Sequence, residues 1–149
     1  MTQRSERSNL PCGVVVGHGV DIVDIAAFSR LLEEFAQSPS RHFTNAELAE
    51  IGDSGNRNER LAGRFAIKES VMKALGVGWG DGVSFTDIEV SANERGAPTV
   101  ILRRGLLELQ NERAISRWSV SASHTGSVAF ASAIALCDVL KAPSIDQIC

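Results

Sequence analysis

The chain has little cysteine, and what it has is poorly placed for bonding. Cys12, Cys137 and Cys149 are odd in number and lack the short spacings of metal ligands or of a CxxC redox pair. No disulfide framework follows, and a reducing cytosol is the natural setting. No apolar run approaches the ~20 residues that span a bilayer. Residues 128–137 come closest, with the length of a buried strand. The opening MTQRSERSN is polar with no apolar stretch behind it, so no secretory signal is expected. Excess charge is lacking too. A net charge of −3 over 149 residues, with a pI of about 5.6, argues against a surface-wide nucleic-acid binder. The glycine-rich turn at 76–82, GVGWGDG, lacks the GxxxxGK order of a P-loop. Its backbone N–H groups can still approach a phosphate.

What is present fits one compact domain, 44% hydrophobic and 22% charged. Residues 1–12 read as a flexible arm, 13–140 as the domain and 141–149 as a tail. The chain is organised around residues 60–76, RLAGRFAIKESVMKALG. They predict a helix stopped by Gly76. At ~100° per residue, Leu61, Phe65, Met72 and Leu75 form its core stripe. A neighbouring stripe carries Ala62, Ala66, Glu69 and Lys73. Glu69 and Lys73 are an i,i+4 pair, which as a surface contact contributes only ~0.3–0.5 kcal/mol. Arg57, Arg60, Arg64, Lys68 and Lys73 together make a local cationic field that suits a phosphate ligand or an acidic partner.

Upstream, residues 14–25 are β-branched and apolar and predict a buried strand. Alternation puts Val15, Gly17, Gly19 and Asp21 on one face. Val14, Val16, His18, Val20 and Ile22 fall on the other, which is expected to face the core. An acid in so apolar a strand is costly unless it is paired or bound to a metal. Asp24 caps a predicted helix to about residue 35, and Ser38-Pro39-Ser40 breaks it. Thr44 with Glu47 forms a capping box for a helix over 45–51, closed by Gly52. Residues 85–91 and 98–102 predict a hairpin, 104–114 a helix, 118–123 a strand. The strand over 127–137 has a face of four alanines (129, 131, 133, 135) that must accept a helix or a second subunit at close range. Helices and mostly antiparallel strands in mixed order give an α+β domain.

Asp21, the Glu69–Lys73 pair and His124 with Thr125 stand out as a constellation. Two carboxylates suit Mg²⁺, which takes one or two protein acids and completes its shell with water and phosphate oxygens. Arg64, Lys73 and His124 would supply charge and donors to a phosphate. Periodicity and spacing reach as far as cation-assisted transfer of a phosphate-containing group.

Gly17-His18-Gly19-Val20-Asp21-Ile22 resembles the GxGxDI opening of the holo-acyl-carrier-protein synthases, the short 4′-phosphopantetheinyl transferases. LAGRFAIKESVMKALG is similar to their AGRFAxKEAxxKAxG motif, and residues 118–125 resemble their closing strand. The matches fall in family order and run from residue 14 onward. The resemblance implies a mostly antiparallel sheet packed against a long central helix and shorter helices. It implies transfer of the phosphopantetheine arm of coenzyme A to a serine of an apo-acyl carrier protein, releasing adenosine 3′,5′-bisphosphate. Asp21 and Glu69 would hold Mg²⁺. Glu69, or a water on the cation, would be the base. Lys73 would neutralise the diphosphate, and Arg64, Lys68, His124 and Thr125 would contact coenzyme A. The resemblance also implies a cytoplasmic homotrimer with sites between subunits. One departure is Ala27, where the family pattern has an arginine resembling a carrier-docking contact; Arg30, Arg41 or residues 57–60 are its possible substitutes. The alternative is a non-catalytic coenzyme A or nucleotide-binding module of the same fold.

Overall fold

The computed structural model describes residues 13–34, 38–78 and 80–138. The expected arm at 1–12 and tail at 141–149, with Phe35, Trp79, Cys12 and Cys149, lie outside the described residues. Strand β1 (Gly13–Asp24) leads into α1 (Ile25–Glu34), α2 (Ser38–His42), α3 (Asn45–Ile51) and the long α4 (Arg57–Leu75). Then come a 3-10 turn (Phe85–Asp87), the hairpin β2 (Ile88–Ala92) and β3 (Pro98–Leu102), α5 (Arg104–Glu112), β4 (Arg117–His124) and β5 (Val128–Asp138). The larger sheet has the order β1-β5-β4, antiparallel throughout, and β2 and β3 form a separate pair. This is the expected α+β arrangement of antiparallel sheet and central helix.

Local signals set most boundaries. Gly76 ends α4 in the left-handed region at φ 63°. Thr44 and Glu47 make both bonds of the capping box: Glu47 N–H donates to Thr44 Oγ1 at 3.3 Å and Thr44 N–H to Glu47 Oε2 at 2.7 Å. Asp24 Oδ1 caps α1 by accepting from Ala27 N–H at 2.8 Å. Residues 38–40 do not form a plain break but begin the short α2. Pro39 is tolerated there because first-turn N–H groups have no helical acceptor. Residues 85–87 form a 3-10 turn instead of a strand start, since Asp87 accepts from Ser84 N–H and Ser84 from Thr86 N–H.

The face of β1 turned to the core is the opposite of the expected one. Val14, Val16, Val20 and Ile22 are exposed, Ile22 at 68%. The inner face carries Gly17, Gly19, Asp21 and the buried Val23. The cause is steric. Helix α4 lies across β1 and β5 so closely that a Cβ on Gly19 would stand 2.0 Å from Ser70 O, and one on Gly17 2.5 Å from Ala74 O. In register beside them, Ala131, Ala133 and Ala135 of β5 are fully buried. The alanine face therefore accepts a helix of its own chain. Ser70 Oγ ties the layers by donating to Ala131 O at 3.2 Å. Gly19→Ala is expected to lower stability by about 3 kcal/mol, the upper end of ordinary overpacking. A lowered urea midpoint with an unchanged m value checks it.

Helix α4 is enclosed on nearly every side. Leu61, Met72 and Leu75 are buried as expected, Phe65 only partly. Ala62, Ala66, Ile67 and Val71 are buried as well. The sheet covers one side of the helix. On another, Phe65 lies 5.0 Å from Phe28 and 4.9 Å from Phe85, ring centre to ring centre.

Candidate active site

Asp21 and Lys73 meet because α4 runs over the glycines of β1. A Cβ on Gly19 would lie 2.9 Å from Lys73 Cβ, so the bare strand lets the lysine stem lie flat against it. Lys73 Nζ then donates to Asp21 Oδ1 at 2.7 Å and to Val20 O at 3.1 Å. The Asp21 side chain is 14% exposed and the Lys73 side chain 51%. A largely covered carboxylate thus has a cation on it, and that cation reaches solvent.

Asp21 and Glu69 border one cleft of about 510 Å³, walled by Ile22, Ala27, Phe28 and Phe65. Asp24 borders it too, a residue that sequence reasoning assigned only to capping. The donors are oxygens, which suit a hard cation. Among the described residues no three or more His, Cys, Asp and Glu side chains gather as a metal cage. The arrangement fits Mg²⁺, whose shell needs only one or two protein acids. The Lys73 ammonium, seated between Asp21 and the Val20 carbonyl, marks a position where positive charge is stable.

Arg64 and His124 lie elsewhere. They border a second cleft of about 270 Å³ together with Glu59, Arg60 and Ser91. Arg64 is buried; its Nη2 is 2.9 Å from Glu50 Oε1 and its Nη1 donates to Glu47 O at 3.3 Å. His124 ends β4, two strands from β1. Thr125 Oγ1 accepts from Ser127 N–H at 3.3 Å and Val128 N–H at 3.2 Å, shaping the turn into β5. Within one chain the expected residues form two groups on different sides of α4.

Lys68, expected to contact the coenzyme, is instead enclosed within the fold. Its side chain is 0% exposed. Its ammonium donates to His42 O at 2.7 Å, Glu47 Oε2 at 2.7 Å and Phe85 O at 3.0 Å, over the Phe43 ring. All three N–H bonds are used, so none is left for a coenzyme phosphate. Burial pushes its pKa below the usual lysine value, against the opposing pull of the Glu47 carboxylate.

A family model for the 4′-phosphopantetheinyl transferase superfamily matches residues 17–136. The chain belongs to that superfamily. Among curated relatives of this transferase, the holo-[acyl-carrier-protein] synthase of Shewanella amazonensis is 44% identical over 121 residues, 80% of this chain and 97% of that protein. That of Solibacter usitatus is 33% identical over 122 residues, 81% of this chain and 98% of the relative. Among solved structures, the synthase of Neisseria meningitidis superposes with a TM-score of 0.74 at 34% identity, covering 82% of this chain and 98% of that one. The Helicobacter pylori synthase in complex with coenzyme A gives a TM-score of 0.69 at 32% identity, covering 79% and 98%. The resemblance carried by residues 17–22, 61–76 and 118–125 is borne out, and so is the fold class.

Proposed function

We propose that the chain transfers 4′-phosphopantetheine from coenzyme A to a serine hydroxyl of an apo-acyl carrier protein. The observation that carries this reading is the cleft bordered by both Asp21 and Glu69, with the Lys73 ammonium on Asp21. The serine oxygen attacks the phosphorus that bears the pantetheine arm. The bond from that phosphorus to the bridging oxygen breaks, and adenosine 3′,5′-bisphosphate leaves. Glu69 is the side chain positioned to take the serine proton, directly or through a water. Lys73 places positive charge where the bridging oxygen gains negative charge. Mg²⁺, held by Asp21 and Glu69, supplies further positive charge to the diphosphate when bound. Arg64 and His124, with Thr125 shaping the turn beside them, receive the nucleotide end of the coenzyme.

Two observations support a homotrimer. The outer face of the sheet leaves Val16, Val20, Ile22 and Phe130 exposed side by side, an apolar surface typical of subunit contact. The cleft holding Arg64 and His124 is separate from the acidic one, and a neighbouring copy would bring the two together. Carrier docking falls on α1, where Arg30 and Leu31 are exposed beside the acidic cleft and Ala27 leaves its rim open. Among the described residues no helix is long and apolar enough to cross a membrane, and a cytoplasmic setting is part of this reading.

Incubation with coenzyme A, MgCl₂ and a bacterial-type apo-carrier is expected to add the mass of one phosphopantetheine, read by intact mass spectrometry. Chelation with EDTA is expected to stop it. A carrier that never gains mass overturns the transferase reading and favours the non-catalytic module. Light scattering of the same sample is expected to give three chain masses; a monomer overturns the trimer alone.

A further inference from the structure

Two lysines on α4 neutralise acids in opposite ways. Lys68 is enclosed and saturated by three acceptors. Lys73, a turn and a half further on, is half exposed and held by two acceptors, one of them the Asp21 carboxylate that borders the acidic cleft. One cation is built in and the other can leave.

We propose that Lys73 is an exchangeable counter-cation. It neutralises Asp21 in the free enzyme and releases that carboxylate when a divalent cation binds. The freed ammonium then meets the coenzyme's diphosphate. The inference rests on the reading of Asp21 as a metal-holding residue. A carboxylate as covered as Asp21 is costly without a partner, and the Lys73 ammonium is the positive charge beside it. Lysine suits the task. It is a point charge on a flexible four-carbon stem, whereas arginine would clamp the carboxylate with two bonds. Its present acceptors, Asp21 Oδ1 and Val20 O, are oxygens of the kind a hard cation takes. Two positive charges on one carboxylate oxygen repel each other, so ammonium and metal compete. Any charge that Asp21 gives to Lys73 is withheld from the metal until exchange occurs. The exchange therefore couples metal binding to readiness for the diphosphate: the step that fills the site also arms the lysine.

The test titrates Mn²⁺ alone, without coenzyme A, into the full-length protein by calorimetry. Lys73→Met is expected to bind Mn²⁺ about tenfold more tightly than wild type, within the usual range of coupling between sites. Asp21→Asn is expected to bind it at least about tenfold more weakly, since one of few ligands is lost. In the wild type, reductive methylation of Lys73, read by peptide mass spectrometry, is expected to rise several-fold on adding Mn²⁺. If wild type binds no Mn²⁺, the metal reading of Asp21 and the exchange fall together. If wild type binds and Asp21→Asn weakens it, the metal reading stands. Unchanged or weaker binding by Lys73→Met, or methylation of Lys73 indifferent to the metal, then overturns the exchange alone.

Discussion

Lys68→Ala is expected to cost about 3–5 kcal/mol, a large part of a small domain's stability. The loss comes less from the missing attraction than from what stays behind. Glu47 is 1% exposed. Its Oε1 accepts from Val90 N–H at 3.0 Å and its Oε2 from Thr44 N–H at 2.7 Å. Without Lys68 it remains a buried carboxylate with no cation, and the carbonyls of His42 and Phe85 lose a donor. Those acceptors come from α2, α3 and the 3-10 turn, so one ammonium joins three segments to α4. Urea unfolding reads the loss; a change below about 1 kcal/mol overturns the assignment. The double variant Lys68→Met with Glu47→Gln is expected to recover much of it, because neither charge is then enclosed. The pH dependence has a definite sign. Burial lowers the folded pKa of Lys68 from the ordinary 10.5. Between that lowered value and 10.5 the unfolded chain holds a proton that the folded chain has released. Stability from this group therefore rises with pH across that window. Below it both states are protonated, and the cost of enclosing the charge is fully felt. The wild type minus the double variant isolates this slope, and a fall with pH in that window contradicts it.

The same region shows why parts of the molecule were legible and parts were not. Local chemistry was readable: the Gly76 stop, the Thr44–Glu47 box and the alternation of β5 each depend on residues a few places apart. From Gly17 onward alternation in β1 gave two faces but not which one is inside, and a register shift between Val15 and Gly17 takes Val15 off the face expected for it. Polarity favoured the valine face, while the answer lay in size, since only glycine and alanine admit α4 so close. Gly17 and Gly19 followed by an alanine-faced strand carried that signal. On a helical wheel Lys68 falls near the core stripe, and the structure encloses it. Its acceptors are two carbonyls and an acid from distant segments, and no periodicity reveals carbonyl positions. Asp21 and Glu69 were grouped by residue type as two acids suited to one hard cation, and the resemblance supported that grouping. That Lys73 would sit on Asp21, and that Arg64 and His124 would border another cleft, depends on strand order and on where α4 crosses the sheet.

Glu69→Gln is expected to lower kcat/KM for carrier modification by about 10³-fold while leaving the fold intact. The exchange keeps size and shape, and Glu69 is partly exposed at an open cleft instead of enclosed in the packed core. What it removes is charge and basicity together. A neutral amide binds a hard cation weakly and accepts no proton from the serine. Loss of a general base alone is worth about 10²–10⁴-fold. Asp21→Asn is expected to fall in a similar range by a different route, taking the counter-ion from Lys73 as well as a metal ligand. The decisive comparison is the double variant. If both acids serve one cation, the first substitution already disables it, and the second adds little. The double variant should then be only modestly slower than the worse single one, far from the product of the two factors. Steady-state transfer rates at saturating Mg²⁺, with melting temperatures as a control on folding, make that comparison. Multiplying factors would mean that the two carboxylates act separately, and the shared cleft would then be an accident of packing.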